Sequence, residues 1–381
     1  MATFPFKIKA TEGAARTGTL TTPRGEIRTP AFMPVGTAGT VKALYMDQVK
    51  AAGADIILGN TYHLMLRPGA ERVKRLGGLH KFSGWSGPML TDSGGFQVWS
   101  LAQLRKMDAD GVTFQSHIDG STHRLTPARS IEIQADLLGA DISMQLDECT
   151  NFPCTHAEAE RSLTLSLDWG QRSLDAFGDR EAQTLFGIVQ GSNFADLREH
   201  SAKGVVGQGF GGIALGGLAV GEGHDQMCAS IDMTVPHLPG HLPRYVMGVG
   251  KPIDLVESVA RGIDMFDCVL PTRSGRHGQA WTWAGPVNVK NAQFAEDVSP
   301  IDAAVDCPAS RDYSRAYYHH LFKAGEYLGP MLLSWHNTAF FQALMAEIRL
   351  SIQEGRFEAL RSRLSTAWAG TKSSPKAETA G

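Results

Sequence analysis

Four polar side chains, each closing an apolar run, have the types needed for chemistry. Asp92 ends Leu90-Thr91-Asp92 and is followed by Ser93-Gly94-Gly95-Phe96-Gln97. An acid ahead of two glycines leaves open backbone beside a carboxylate; the plain alternative is a cap for the next helix. Asp267 lies in Met265-Phe266-Asp267-Cys268-Val269-Leu270-Pro271. Flanked by Phe, Cys and Val, it is either paired with an arginine or functional, because burying it unpaired is costly. Two such carboxylates can divide nucleophilic and acid–base work between them. Asp147-Glu148-Cys149 and Gln190-Gly191 end two further runs. Adjacent acids point in different directions, so of these two Asp147 is expected to share the face of Asp92. Asp and Gln together can hydrogen-bond the amide-like edge of a heterocycle such as guanine, although either can equally be a satisfied polar residue.

A basic strip accompanies them. Gly248-Val249-Gly250-Lys251 precedes Pro252, which suits the first position of a helix, and a helix N-terminus with a lysine is a natural phosphate site. It lacks the full P-loop pattern. Arg273 and Arg276 follow the Asp267 run within Thr272-Arg273-Ser274-Gly275-Arg276. A solvated surface is the ordinary alternative for such charges.

The elements that must position these groups alternate. Thr126 is a good N-cap, Pro127 fits the first helical position, Ile131, Ala135 and Leu138 share a face, and Gly139 ends the helix; a strand Ile142–Leu146 then runs to Asp147. Arg244–Met247 followed by a helix from Pro252, closed by Gly262, repeats the unit. Strand ends are expected at Asn60, Asp92, Asp147, Gln190, Gly217, Gly248 and Asp267. So many polar strand ends favour a (β/α)8 TIM barrel, with the groups at its C-terminal mouth, over an open doubly wound sheet. Short strands joined at Glu12-Gly13 precede the barrel. A hairpin at Ala280–Val289 and a mostly helical stretch from Ser314 to about Trp368 follow it. Residues 1–369 are expected to form a single catalytic domain that includes the hairpin and helical subdomain of 278–369; the small, polar residues 370–381 are expected to be a disordered tail.

The bulk numbers allow a large core. The chain has 381 residues, of which 43% are hydrophobic, and 36 basic against 39 acidic residues give a net charge of −3. No global basic field advertises nucleic acid, but phosphate contacts need only a local strip. No signal peptide is evident and the longest apolar stretch, Gly212–Val220, is too short to span a bilayer. Five cysteines, Cys149, Cys154, Cys228, Cys268 and Cys307, include no Cys-x-x-Cys pair, so a cytoplasmic setting is expected.

Several segments together are more specific than any one of them. Asp92-Ser93-Gly94-Gly95-Phe96-Gln97, Asp147-Glu148-Cys149, Gly216-Gly217-Leu218-Ala219-Val220-Gly221-Glu222, Tyr245-Val246-Met247-Gly248-Val249-Gly250 and Phe266-Asp267-Cys268-Val269-Leu270-Pro271-Thr272-Arg273 closely resemble the bacterial queuine tRNA-ribosyltransferases, also called tRNA-guanine transglycosylases, from about residue 5 to about residue 369. The resemblance implies a TIM barrel, usually a homodimer. It implies exchange of the wobble guanine of tRNAs for Asp, Asn, His and Tyr for 7-aminomethyl-7-deazaguanine, a queuosine precursor. By the resemblance Asp267 is the nucleophile and Asp92 the general acid/base. Asp147, Gln190 and Gly217 bind the base, Leu218 lines its pocket, and Ser93, Gly94, Gly95 and Phe96 border it. Gly248, Val249, Gly250, Lys251, Pro252, Ile253 and Asp254, with Thr272, Arg273, Ser274, Gly275 and Arg276, contact RNA. Cys149 and Val220 match the bacterial choices, which suit the aminomethyl base. The partners implied are tRNA and a 7-deazaguanine base, with no membrane.

One region departs from the family. Its zinc site is Cys-x-Cys-x-x-Cys with a distant His, and those positions hold Val305, Cys307, Ser310 and His336. A closed structural zinc site takes four ligands, and Cys307 with His336 is too few. Asp302, Asp306, His319 and His320 are nearby, but nothing in their spacing compels a substitute site. The expectation is that no zinc binds and no cofactor is needed. Two other readings remain at this point: a barrel glycosidase acting on nucleosides, which the arginine strip argues against, and a non-catalytic RNA-binding paralogue, which the retention of both aspartates argues against.

Overall fold

The computed structural model describes residues 3–101 and 104–368. The tail expected at 370–381 lies outside the described residues.

Eight parallel strands close into a barrel: Ala31–Gly36, Ile57–Gly59, Met89–Thr91, Ile142–Met144, Thr184–Val189, Gly212–Leu215, Arg244–Val246 and Met265–Cys268, the last pairing back onto the first. Parity along the strands decides what fills the barrel. Ala31, Met33 and Val35, then Leu58, Leu90, Ile142, Met144, Phe186, Ile188, Ala214, Tyr245 and Met265 form one buried cluster contributed by all eight strands. Alternate residues such as Phe32, Leu185, Ile213, Val246 and Phe266 instead pack outward among the helices. The same parity carries polar residues to the mouth. Asp92 stands two residues beyond Leu90, Gln190 two beyond Ile188, and Asp267 two beyond Met265, each in step with an interior residue.

The antiparallel strands Phe6–Glu12, Ala15–Thr22 and Gly25–Thr29 close the opposite end, where Leu20 and Ile27 join the interior cluster. Arg16 donates to both oxygens of buried Asp264, at 2.9 and 2.6 Å, and Asp264 also accepts from Arg244 N at 2.7 Å. This pairing fixes the foot of the two strands that carry Tyr245 and Asp267.

Beyond the barrel, the helix Leu270–Arg276 follows directly on the Asp267 strand, and the hairpin Gln279–Thr282 and Gly285–Asn288 follows that. The long helix Leu328–Gln353 clamps both to the barrel. A side chain at Gly275 would meet the Ser334 backbone at 2.7 Å, so glycine there lets the two helices cross closely. Asn337 Nδ2 donates to Pro271 O and Gln279 O, and Gln342 Nε2 donates to Phe32 O.

Three local readings change. The strand expected at 142–146 ends at Met144, because the Gln145 side chain turns outward, donating to Ser166 O and accepting from Ile188 N. The helix from Pro127 keeps its expected ends, with Thr126 capping Arg129 N and Gly139 left-handed, but its second half, Glu132–Leu138, is π-helical. There buried Gln134 exchanges hydrogen bonds with Met144 N and O and accepts from Thr91 Oγ1, which ties the strands of Asp92 and Asp147 together. Finally, the antiparallel sheet Arg105–Asp108, Gly111–Gln115 and Thr122–Leu125 interrupts the βα alternation and was not expected from it.

Candidate active site

Asp92 is buried at the end of its strand. Its Oδ2 accepts from Asn60 Nδ2 and its Oδ1 from Thr61 N at 2.8 Å, while its carbonyl accepts from Thr61 Oγ1 at 2.6 Å. The capping reading is therefore right in kind but displaced: Asp92 caps the neighbouring helix Thr61–Leu66, not the one that follows it. Burial outweighs these bonds, and with the charge of Asp267 added the Asp92 carboxyl is pushed up to about 6.

Among the described residues no arginine pairs with the Asp267 carboxylate. Its Oδ1 accepts from Tyr245 Oη at 2.5 Å and from Gly248 N at 2.8 Å. Desolvation nevertheless raises it, the two donors holding it down in part. It keeps part of its surface open. The Tyr245 hydroxyl, buried against two aspartates, stays protonated far into alkali, so it serves as a fixed donor. Tyr245 was not singled out from sequence. Its signal was strand parity: it sits three residues before Gly248, on an inward position of the strand next to that of Asp267.

A second group adjoins these two. Gln190 Nε2 donates to Asp147 Oδ2 at 2.7 Å, and Ser93 Oγ stands 3.3 Å from Asp147 Oδ1. Burial pushes Asp147 up to about 6 against these donors. Glu148 turns away, accepting from Arg161 at 2.8 Å, so the adjacent acids do diverge. Gly217 has φ +67°, and a Cβ on Gly216 would stand 2.6 Å from Gln190 Nε2, so glycine at both positions brings backbone against the amide. Leu218 and Cys149 are buried beside them, and burial drives the Cys149 thiol strongly up, leaving a small neutral side chain. Ser93 and Gly95 are buried, Gly94 takes φ +85°, and Phe96 is exposed. The site thus joins six strand ends: Asn60, Asp92, Asp147, Gln190, Gly216-Gly217 and Asp267.

The basic strip is assembled only in part. Gly248 N is committed to Asp267, Asp254 pairs with His224 Nδ1 at 2.6 Å, and Val249 and Pro252 are buried. Gly250 is small because a Cβ would meet Cys268 Sγ at 2.4 Å. In the next segment Thr272, Ser274 and Gly275 are buried, and its cations Arg273 and Arg276 are half-buried. Lys42, absent from the sequence reading, is near enough to both that desolvation and then their charges lower its ammonium. Repulsion among three cations with a partly buried lysine marks a place that suits an anion.

The family's metal position does not fit zinc. His336 is fully buried; its Nε2 is 2.8 Å from Trp281 O and its Nδ1 2.8 Å from Ser310 Oγ. A carbonyl only accepts, so Nε2 carries the proton and Nδ1 accepts from the serine. Burial pushes this imidazole down to about 4, so it is neutral. Val305 and Cys307 are buried with the hydrophobic core. Among the described residues no three His, Cys, Asp or Glu side chains converge as a metal set.

Two carboxylates and a carboxylate–amide pair thus meet at one mouth of an eight-stranded barrel, the end at which barrel enzymes carry their chemistry. Comparison with known proteins narrows the class. The family description that matches is queuine tRNA-ribosyltransferase, over residues 11–370. The queuine tRNA-ribosyltransferase of Caulobacter vibrioides is 68% identical over 361 residues, spanning 95% of this chain and 97% of that protein. Those of Brucella melitensis and Zymomonas mobilis are 60% and 61% identical, spanning 96% and 93% of this chain and 97% and 92% of theirs. The chain belongs to the queuine tRNA-ribosyltransferase family.

Proposed function

We propose that this protein exchanges the wobble guanine of GUN-anticodon tRNAs (Asp, Asn, His, Tyr) for 7-aminomethyl-7-deazaguanine by double displacement, in queuosine biosynthesis. The observation that carries this reading is the single mouth at which Asp92 and Asp267 stand beside Asp147, Gln190 and Gly217. The target nucleotide must leave its stack to reach such a mouth. On its Watson–Crick edge guanine presents two donors, N1–H and the 2-amino group, and one acceptor, O6. Ionised Asp147 suits the donors; the Gln190 amide and the Gly217 N–H suit O6. The Asp267 carboxylate attacks the ribose anomeric carbon, forming a C–O bond as the C–N9 bond breaks with its electron pair going to guanine. Asp92, held near pH 6, supplies a proton to the departing base. In the second half Asp92 takes the N9 proton of the incoming base, whose N9 displaces Asp267 and restores the ribosyl bond with retention. Lys42, Arg273, Arg276 and Lys251 serve the phosphates. The assay is incorporation of labelled guanine into unmodified tRNA; absence of incorporation by the intact enzyme refutes the reading. Activity on free nucleosides without tRNA would instead favour a glycosidase.

Asp147→Asn is expected to raise the KM for guanine about 10–100-fold, the range for losing hydrogen bonds to a charged acceptor, while the KM for tRNA changes far less. Steady-state exchange with each substrate varied separately checks this.

The finer assignments belong to the same proposal. Residues 1–369 act as one catalytic unit. The setting is cytoplasmic, supported by the five free cysteines, and no described helix is long and apolar enough to cross a membrane. The enzyme is a homodimer, as the family resemblance implies. No zinc is needed: the Ser310–His336–Trp281 chain and the packing of Val305 hold the subdomain instead. Chelation during purification is expected to leave exchange and melting temperature unchanged, and metal analysis to find no stoichiometric zinc; one zinc per chain contradicts this.

A further inference from the structure

Arg198 is fully buried on the first turn of the helix Ala195–Gln208, immediately behind the strand that ends at Gln190. Its guanidinium folds back on the site. Nε donates to Ser192 O at 2.7 Å, and Nη1 to Gly216 O at 3.0 Å and Val189 O at 3.4 Å. Nη2 has no partner, and it stands 3.5 Å from where a Gly217 Cβ would be, on the side where that Cβ would also meet Gln190 Oε1 at 3.0 Å. Gly191 is glycine because a Cβ would press on the Arg198 backbone N at 2.8 Å, which keeps the turn short and the arginine close. The acceptors are carbonyls; the opposing carboxylate it feels is Glu222, itself bonded to Ala219 N and Val220 N at 2.5 and 2.8 Å.

A buried guanidinium without an ion pair and with a free donor is unfavourable for the fold alone. Such a group at the back wall of a pocket is explained if it is used there. We propose that Arg198 is a positioning residue for base recognition, setting the Gly216-Gly217 backbone against Gln190 and placing a spare positive N–H group behind the O6 side of the bound base. The proposal rests on the base-exchange reading above. Arg198 acts through Gly216: anchoring that carbonyl orients the Gly217 peptide, whose N–H points at O6. Its charge favours the electron density that moves toward O6 when the base leaves with the C–N9 electrons.

The test couples Arg198 to O6. Inhibition of exchange is measured for guanine and for 2-aminopurine, which lacks O6, in the wild type and in Arg198→Lys. The conservative variant keeps charge but loses the fork that holds three carbonyls at once. Guanine is expected to weaken about tenfold in R198K, with 2-aminopurine nearly unchanged and the KM for tRNA unaltered. Equal weakening of both bases, or of neither, in a variant that melts like the wild type overturns the proposal. A wild type that fails to exchange guanine fails the parent reading instead. Independently of any variant, wild-type protein labelled with 15N-arginine is expected to show a slowly exchanging side-chain resonance that shifts on saturation with guanine. Side-chain arginine resonances that all stay in place contradict the role.

Discussion

Asp267→Asn is expected to abolish base exchange, lowering kcat by on the order of 10⁴-fold or more, while tRNA still binds. The substitution keeps the volume and an acceptor for Tyr245 Oη and Gly248 N, so the local fold has no reason to change. On the proposed mechanism it removes the nucleophile, since an amide does not form a stable ester with ribose. The loss should therefore fall on the chemical step. Single-turnover kinetics with a gel-shift measurement of tRNA binding separate the two, and a variant that loses binding and chemistry together would mean that Asp267 organises the mouth instead of attacking.

Asp92→Asn is expected to reduce exchange about 10²–10⁴-fold, the usual worth of a positioned acid or base. It also changes the pH dependence. The wild type should lose activity above about pH 6, as Asp92 gives up the proton it donates to the departing base, and below about pH 6, as Asp147 becomes neutral. The limbs belong to the coupled set; the variant should lose the alkaline limb and keep the acidic one, due to Asp147 and Asp267. Stability follows a different course. A carboxyl raised from 3.8 to about 6 binds its proton more tightly folded than unfolded. The stability this proton linkage contributes is full below the unfolded value and is lost as pH rises toward 6. At about 1.36 kcal/mol per unit, keeping Asp92 ionised at neutral pH costs roughly 3 kcal/mol. Asp92→Asn should thus melt higher than the wild type at pH 7.5, with the gap closing toward pH 4. Equal melting curves at pH 7.5 would show that the Asn60 and Thr61 donors already offset the burial.

How much of this was legible in sequence depends on the distance over which each signal acts. The barrel, its mouth and the strand ends at Asp92, Gln190 and Gly217 follow from local alternation, because period-two burial and helix caps are written in neighbouring residues. The inserted sheet at 105–125 was not, since its two outer strands are polar and largely exposed, and only the five-residue middle strand alternates, burying Val112 and Phe114. The partners of the carboxylates were not legible either. Asn60 was visible only as a strand end, yet it holds Asp92 across 32 positions of chain; Tyr245 lies 22 positions from Asp267. Arg198 looked like any helical arginine, and only the closure of the barrel turns it inward. Conversely, the segments expected to contact RNA read as continuous runs in sequence. Packing against Cys268 and the long C-terminal helix buries half of these residues and leaves Arg273 and Arg276 half-buried. The metal position holds Val305 and Ser310 where the family has cysteines, and the Ser310–His336–Trp281 chain there depends on contacts 26 and 55 positions apart.

The most direct measurement is a denaturing quench of the enzyme mixed with a GUN-anticodon tRNA and no free base. The account predicts a covalent protein–RNA species formed as guanine is released, attached at Asp267 by peptide mapping and discharged when guanine is added back. Guanine release without a covalent species, or an adduct at any other residue, would contradict it.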